Sequence, residues 1–282
     1  MTRSPRKTVL PAFASALTLC GAMLMAAAPA QAQTPAASAA SETAASPTDA
    51  VQPARHAAWS ELLSKYVRPA ADGVNRFDYG ALKADDADRT ALTAYIASFE
   101  TLDFASLIRD EAFAAWANLY NAVTIDHILG RYPVKSIRSG YIVGPWKEVS
   151  VMADGRELSL DAIEHDILRV EWSDPRVHYA VNCAAIGCPN LNPAAWEAAT
   201  LDQALDTAAR AYVNDPRGVT IRNNGLQVSR IYKWFREDFG GSNAGVIDHL
   251  KQYAEPDLLA QIEANPRIRR HAYDWDLNDA ES

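Results

Sequence analysis

Residues 110–131 carry the strongest structural pattern in the chain and so place the strongest constraint on its fold. Large apolar side chains recur there every three or four residues, which is the spacing of one face of an α-helix. They are Phe113, Trp116, Leu119, Tyr120, Val123 and Ile128. Gly130 and Pro133 follow as stop signals. The pattern predicts a long helix whose apolar face packs against the rest of the domain.

Two amides, Asn118 and Asn121, lie on this otherwise apolar helix, three residues apart and therefore on one face. A buried amide must find hydrogen-bond partners. These amides can fasten a neighbouring loop, or they can line a pocket and donate to a substrate carbonyl. Arg138 and Trp146 flank the glycine-rich segment after the helix and are further candidates for a substrate-binding cleft.

Weaker patterns place other elements on both sides of this helix. Helical spacing predicts helices at residues 59–67, 86–99, 160–170, 201–214, 231–239, 246–253 and 258–264. Asp-Gly at 154–155 and Asn-Gly at 224–225 predict two hairpins, and residues 178–181 are predicted as a buried strand. Helices come first, followed by mixed strands and helices. We therefore expect an α+β fold, a single domain with helices packed on a small, mainly antiparallel sheet.

The N-terminal region is typical of an exported protein. Arg3, Arg6 and Lys7 precede an apolar run at residues 9–28, and Ala-Gln-Ala at 30–32 is a small-x-small cleavage site. The apolar run is broken by a proline and a glycine, which suits a membrane anchor less well. The pattern predicts a signal peptide at residues 1–32 and a periplasmic or secreted protein.

The next segment, residues 33–56, consists mainly of Ala, Ser, Thr and Pro. With almost no large apolar side chain, it cannot bury enough surface to offset the entropy of ordering. We expect a disordered linker there and a globular domain over residues 57–278. No later apolar run is long enough to span a bilayer, so no transmembrane segment is expected after signal removal.

The charge of the chain bears on its partners. It has 27 Lys and Arg against 35 Asp and Glu, for a net charge of −8. Loss of the basic leader would make the remainder more acidic still, and no basic block occurs within it. Nucleic acid and anionic membrane surfaces are therefore not expected partners. No cofactor is expected either.

Residues 176–191 contain the residue types of a thiol active site. A nucleophilic Cys183 would need a base within hydrogen-bond reach, and His178 is the nearest candidate in sequence. In an extended strand, five residues span roughly 16 Å and an odd spacing points the two side chains to opposite faces. The two can therefore meet only if the chain turns near Asn182.

Cys183 and Cys188 also allow a non-catalytic interpretation. Two cysteines in an oxidising compartment usually pair, and Gly187 could supply the bend that a disulfide between them requires. A zinc site with His178 as third ligand is disfavoured by the C-x4-C spacing, because C-x2-C is usual. No metal is expected. The free thiol and the disulfide remain open alternatives.

Glu164 lies on the helix predicted at residues 160–170, for which Ser159 is a good N-cap. Ile163 and Ile167 point inward, so Glu164 lies close to the buried edge. A carboxylate there could orient a histidine or act as an acid or base. Alternatively, Glu164 and His165 form a solvated pair on the outer face.

Five blocks of the sequence resemble the DUF547 family in the same order. They are WANLYNAVTI at 116–125, YPVKSI at 132–137, LSLDAIEH at 158–165, PRVHYAVNCAAIGCP at 175–189 and YDW at 273–275. The resemblance covers roughly residues 57–278. The family is defined by sequence and has no agreed biochemical activity.

The family has been likened to papain-like and transglutaminase-like cysteine enzymes. That likeness implies a core helix packed on an antiparallel sheet and a thiol–imidazole–carboxylate site, with Cys183, His178 and Glu164 at the matching positions. It implies an exported thiol-dependent acyl-transfer or peptide-processing enzyme, acting on a small peptide or acyl substrate. The alternative is a non-catalytic periplasmic binding or structural module with a Cys183–Cys188 disulfide.

Overall fold

The structured chain begins before the predicted domain boundary. The computed structural model describes residues 52–222 and 225–281, and its first helix, α1, spans Gln52–Tyr66. The boundary predicted at residue 57 falls inside this helix, and His56 is fully buried. The predicted signal peptide and residues 33–51 of the predicted linker lie outside the described residues.

A short antiparallel hairpin and two helices follow α1. The elements are β1 (Val67–Pro69), β2 (Asn75–Phe77), α2 (Tyr79–Ala84) and α3 (Asp86–Ala97). Asp78 caps α2, and Asp85 caps α3 by accepting a hydrogen bond from the Asp88 N–H. Each cap satisfies a backbone donor that the helix leaves unpaired.

The long predicted helix is α4 (Arg109–Arg131), and it forms the centre of the domain. Its residues from Glu111 to Ile125 are buried all round rather than on one face. The helices α1, α2 and α3 pack against it, and the Phe104 ring stacks on Trp116 with centroids 3.7 Å apart. A helix this apolar is stable in water only when other elements cover it.

Both asparagine amides of α4 form hydrogen bonds with backbone groups of neighbouring loops. The Asn118 amide donates to the Trp196 carbonyl and accepts from the Trp196 N–H, each over 2.9 Å. The Asn121 amide donates to the Ala180 carbonyl at 2.9 Å and accepts from the Asn182 N–H at 2.8 Å. These amides fasten loops to α4, as in the structural alternative. Neither amide lines the cavity described below.

The Asp-Gly hairpin lies where the sequence predicts it. Strands β3 (Ser150–Ala153) and β4 (Arg156–Ser159) pair in antiparallel register. Asp154 and Gly155 have φ values of 54° and 68°, and two positive φ angles are what a tight I′ hairpin turn requires. Ser159 then accepts a hydrogen bond from the Ala162 N–H at 3.1 Å, as an N-cap should.

The helix after Ser159 has an irregular centre. Its residues Ala162–Leu168 wind as a π-helix, and it continues as α5 (Arg169–Trp172). The Arg169 N–H donates to the Glu164 carbonyl five residues earlier. Single π-turns of this kind occur often at functional sites, since they redirect side chains relative to a regular helix.

The predicted strand at residues 178–181 is wrong. Val177–Ala180 form a single helical turn, α6, introduced by the Asp174 side chain, which accepts from the Arg176 N–H at 2.8 Å. Residues 177–180 are all buried. A short run of buried apolar residues fits a strand or a helical turn equally well, and periodicity cannot separate the two.

The C-terminal part is mixed in structure. It contains α7 (Leu201–Asn214), β5 (Val219–Arg222), β6 (Gly225–Ser229), α8 (Ile231–Trp234), α9 (Asn243–Tyr253), α10 (Pro256–Ala264) and β7 (Ile268–Ala272). Strand β6 pairs antiparallel with β5 and parallel with β7. The helix predicted at residues 231–239 ends early, at Trp234.

The expected α+β fold is confirmed. Helices dominate the described residues, and the sheets there have two or three strands with mostly antiparallel pairing. The expectation of one small sheet is refined, because the strands form three separate sheets. No helix in the described ranges is long and apolar enough to cross a membrane.

We predict that Asn118→Ala lowers the free energy of unfolding by about 3 kcal/mol, because it leaves two buried backbone groups of Trp196 without partners. Urea denaturation followed by circular dichroism measures the change. Gln261→Ala, which removes an exposed amide, is the control and should change stability by less than about 0.5 kcal/mol. Equal stability of the two variants would contradict this role.

Candidate active site

One cavity of about 490 Å³ collects most of the predicted site residues. Glu164, His178, Cys183, Arg138 and Trp146 all line it. Its other lining residues are Tyr120, Val143, Asp161, His165, Val181, Cys188, Pro189, Arg230, Ile231, Trp234, Phe235, Tyr273 and Trp275. Residues far apart in sequence therefore meet in a cleft of the size that holds a small ligand.

The two cysteines lie side by side at one wall of this cavity. Their sulfur atoms are 2.8 Å apart, and both cysteines are thiols in this structure. The Tyr273 hydroxyl lies 3.2 Å from the Cys183 Sγ and 3.0 Å from the Cys188 Sγ. The Cys183 N–H also donates to the Cys188 Sγ over 3.1 Å. Cys183 is half-buried and Cys188 is buried.

The surroundings favour a negative charge on Cys188. Burial opposes ionisation, but hydrogen bonds from Cys183, from Tyr273 and from backbone N–H groups outweigh it and lower the Cys188 pKa to about 7. The hydrogen bond to Cys188 and burial raise the Cys183 pKa well above its usual value. The pair therefore shares one proton near neutral pH, with the charge mainly on Cys188.

A tightly anchored loop holds this pair in place. The Asn182 amide accepts from the Ala184 N–H and donates to the Pro189 carbonyl, each over 2.7 Å. The Gly187 N–H donates to the Asp274 carbonyl at 2.9 Å. A Cβ at position 187 would lie 2.7 Å from the Asp274 nitrogen, so only glycine fits this contact with the C-terminal segment.

His178 faces the same cavity but does not contact the thiols. Its Nε2 lies 2.6 Å from an Asp238 carboxylate oxygen, and its ring stacks on Phe235 at 4.0 Å. Its Nδ1 lies 3.8 Å from the Glu164 Oε1. Within the described residues no hydrogen bond joins His178 to Cys183, so the direct pair considered from the sequence is not formed.

Burial and charge act in opposite directions on this histidine and its partner. Burial lowers the His178 pKa, although the hydrogen bond to Asp238 opposes that shift. For Asp238, burial raises the pKa, but the hydrogen bonds from His178 and Arg169 outweigh it and hold the pKa far below its usual range. Asp238 is therefore the fixed negative charge of the group.

Arg169 forms hydrogen bonds with both Asp238 and His165. Its Nε and Nη2 donate to the two oxygens of Asp238 over 2.5 Å and 2.8 Å. Its Nη1 lies 2.6 Å from the His165 Nδ1 and donates to it, because a guanidinium has no acceptor. Planar, bidentate contact with a carboxylate is the strongest form of such a pair and fixes its geometry.

Glu164 is the buried carboxyl of the site. Burial raises its pKa to about 7, and a 3.1 Å hydrogen bond from the Tyr120 hydroxyl opposes that rise. The outer-face alternative for Glu164 is wrong, since its side chain is only 8% exposed and lines the cavity. A carboxyl that gains and loses its proton near neutral pH is suited to acid–base catalysis.

The three-ligand zinc alternative is not supported by this arrangement. In residues 52–222 and 225–281, no cluster of three or more His, Cys, Asp or Glu side chains is placed to hold a metal ion. His178 turns its Nε2 to Asp238 instead of to the cysteines.

Sequence reasoning missed Asp238, Arg169 and the contact of Tyr273 with the thiols. Asp238 lies 60 positions from His178, in a turn that the sequence predicts as the end of a helix. No local pattern marks it. Tyr273 belongs to the YDW block, and its place in that block was the one available signal.

These features define a class of protein, an α+β domain in which a thiol pair, a buried carboxyl group and a histidine share one cavity, with an aspartate hydrogen-bonded to the histidine. Residues 104–213 match the family model described as a protein of unknown function, DUF547. This part of the chain is a DUF547 domain, as the resemblance indicated. Asp238 and Tyr273 lie beyond the matched residues.

The other comparisons give no further relatives. No curated protein matches the chain. No solved structure matches it.

We predict that Tyr273→Phe raises the pKa of the thiol pair by about one pH unit, because a hydrogen bond to a charged group contributes roughly 1.5–3 kcal/mol. Thiolate ultraviolet absorbance, followed as pH rises, gives the midpoint. Tyr253→Phe is the control, since that hydroxyl contacts Asp206 instead of sulfur. An unchanged midpoint in Tyr273→Phe would show that the hydroxyl does not stabilise the thiolate.

Proposed function

We propose that the cavity is the active site of an exported thiol-dependent acyl-transfer or peptide-processing enzyme. One observation carries the proposal: a thiol with a pKa of about 7 and a carboxyl group with a pKa of about 7 line the same cavity. Near neutral pH the Cys188 thiolate can therefore accept a proton from Cys183, and the Glu164 carboxyl group can donate one, which are the two proton transfers that covalent acyl chemistry requires.

Cys183 is the nucleophile, because it is the more exposed of the two thiols. Its Sγ attacks the substrate carbonyl carbon and forms the C–S bond, and the carbonyl π electrons move to oxygen. Its proton passes to the Cys188 thiolate 2.8 Å away. Cys188 thus takes the role of base that the sequence suggested for His178.

Glu164 supplies the proton for the leaving group. The tetrahedral intermediate collapses to a thioester, and the departing amine or alkoxide takes the Glu164 proton. A water molecule then attacks the thioester and gives one proton to the Glu164 carboxylate. The carboxylic acid leaves, and Cys183 recovers its proton from Cys188. The net reaction consumes one water and restores the enzyme.

His178 and Asp238 position Glu164. The 2.6 Å contact with Asp238 fixes the imidazole, and the Nδ1 faces Glu164 at 3.8 Å. Arg169 holds Asp238 from the other side. His178 therefore acts through the Glu164 carboxyl group, as a positioning residue whose own ring is fixed by Asp238.

We predict that Cys183→Ala lowers kcat/KM by about 10³-fold or more and that Cys188→Ala lowers it by about 10²-fold, since one loses the nucleophile and the other the proton acceptor. The assay follows hydrolysis of a panel of activated esters and peptide amides by the reduced protein. Gln261→Ala is the control, because that residue is exposed and remote from the cavity.

Two results would contradict this mechanism. Hydrolysis unchanged in Cys183→Ala would exclude its role as nucleophile. Equal activity of Cys188→Ala and the unsubstituted protein would exclude proton transfer between the sulfurs. Glu164→Gln provides a further readout, because loss of the carboxyl should remove the decline of kcat/KM above about pH 7.

A second candidate function is a non-catalytic binding or structural module of the cell envelope, with a Cys183–Cys188 disulfide. The contact between the two sulfurs favours it. The leader pattern, which supports export, would place the pair in an oxidising compartment. Oxidation would remove the nucleophile and leave the cavity as a binding site.

We predict that Cys183 and Cys188 are both thiols in protein isolated from the exported fraction without reductant. An alkylating reagent should label Cys183 faster than Cys188, because Cys183 is more exposed. Peptide mass mapping with and without reductant measures this. The non-catalytic module predicts the opposite result: a peptide lighter by two hydrogen atoms and no labelling before reduction.

A further inference from the structure

The cavity is lined by a cationic side chain, Arg138, as well as by acid–base groups. Arg138 lines it, and the guanidinium carbon lies 4.8 Å from the centre of the Trp275 ring. Within the described residues the hydrogen bonds of Arg138 are made by its backbone, from its N–H to the Ser136 Oγ and from the Tyr141 N–H to its carbonyl oxygen. Its guanidinium forms no ion pair with any described carboxylate, although every N–H of that group is a donor.

The acidic residues of the cavity are engaged elsewhere. Asp161 lies 3.9 Å from the Lys147 Nζ and 3.9 Å from the His165 Nε2. Glu164 accepts from Tyr120 and carries a proton for part of the time at neutral pH, because its pKa is about 7. The Arg138 guanidinium is therefore available to a negatively charged group of a molecule that enters the cavity.

A wall of aromatic rings connects Arg138 to the thiols. The Tyr273 hydroxyl contacts both sulfurs, and the Tyr273 ring lies 4.6 Å from Trp275. Trp275 in turn supports Arg138 and packs on Trp146 and Trp234 at 5.7 Å and 5.4 Å. Two rings thus separate the sulfurs from the guanidinium, a path that a few residues of extended peptide can follow at roughly 3.3 Å each.

Stacking on an aromatic ring also prepares the guanidinium for one kind of ligand. The ring restricts the side chain while its N–H groups remain directed outward. A planar guanidinium held in this way matches a carboxylate, which it can bind through two parallel hydrogen bonds. The aromatic wall beside it can cover the apolar parts of the same molecule.

We propose that Arg138 forms a carboxylate-binding subsite, so that the substrates of this site are short peptides with a free C-terminal carboxylate. The inference rests on the proposed function for the identity of the reacting group. The carboxylate docks on Arg138, the backbone lies along Trp275 and Tyr273, and a carbonyl of the same peptide reaches the thiol pair.

The test measures binding separately from turnover. The full chain with Cys183→Ala is equilibrated with two randomised N-acetyl-tripeptide libraries, one of C-terminal acids and one of the matching amides. Mass spectrometry then quantifies the retained peptides. We expect the acids to be retained about tenfold more than the amides, because hydrogen bonds between a guanidinium and a carboxylate are roughly twice as strong as those to a neutral amide.

Three further variants, each made in the Cys183→Ala protein, test whether Arg138 causes the preference for acids. Arg138→Gln should abolish it, and Arg138→Lys should keep part of it, because the charge remains while the bidentate geometry is lost. Arg222→Gln removes an exposed arginine that does not line the cavity, and it should leave the preference unchanged. Circular dichroism checks that each variant is folded.

The subsite is overturned if acids and amides are retained equally, if neither library is retained, or if the preference survives in Arg138→Gln. Failure of the carboxylate subsite can be distinguished from failure of the proposed function. Unchanged hydrolysis in Cys183→Ala would refute the thiol mechanism, while a carboxylate preference that depends on Arg138 would still establish the binding site.

Discussion

Burial of α4 on all sides is the constraint on which the rest of the structure depends. Water does not reach the buried part of this helix, so its two asparagine amides must form hydrogen bonds with other protein groups. Asn121 does so by holding the Ala180 carbonyl and the Asn182 N–H, at the start of the loop that carries Cys183. The requirement for hydrogen bonding inside the core therefore also fixes the position of the thiols.

The carboxyl groups in and beside the cavity are held in opposite protonation states. Arg169 and His178 keep Asp238 ionised, whereas burial keeps Glu164 partly protonated. The two thiols share one proton near neutral pH, and hydrogen-bond donors that include Tyr273 stabilise the remaining negative charge. Such contrasts between neighbouring groups are typical of sites in which protons move, because each group must both hold and release one.

Much of the architecture could be predicted from local patterns, but the site could be predicted only in part. The predicted range of α7 agrees with the structure, and the Asp-Gly hairpin and the Ser159 cap are where their residue types place them. The strand predicted at residues 178–181 is wrong because the single helical turn at Val177–Ala180 has no periodicity to detect. Asp238 was missed because long-range contacts leave no mark on local sequence, and a charged residue in a turn is usually solvated.

The dependence of Gly187 on the Asp274 backbone has a consequence for the order of assembly. The loop that holds the thiols is completed by residues about ninety positions later in the chain, and Tyr273, which lowers the pKa of Cys188, belongs to the same late segment. During synthesis, the cysteines emerge long before their activating partner does. The hydrogen bonds between Tyr273 and the two sulfurs thus form only after the last part of the chain has docked.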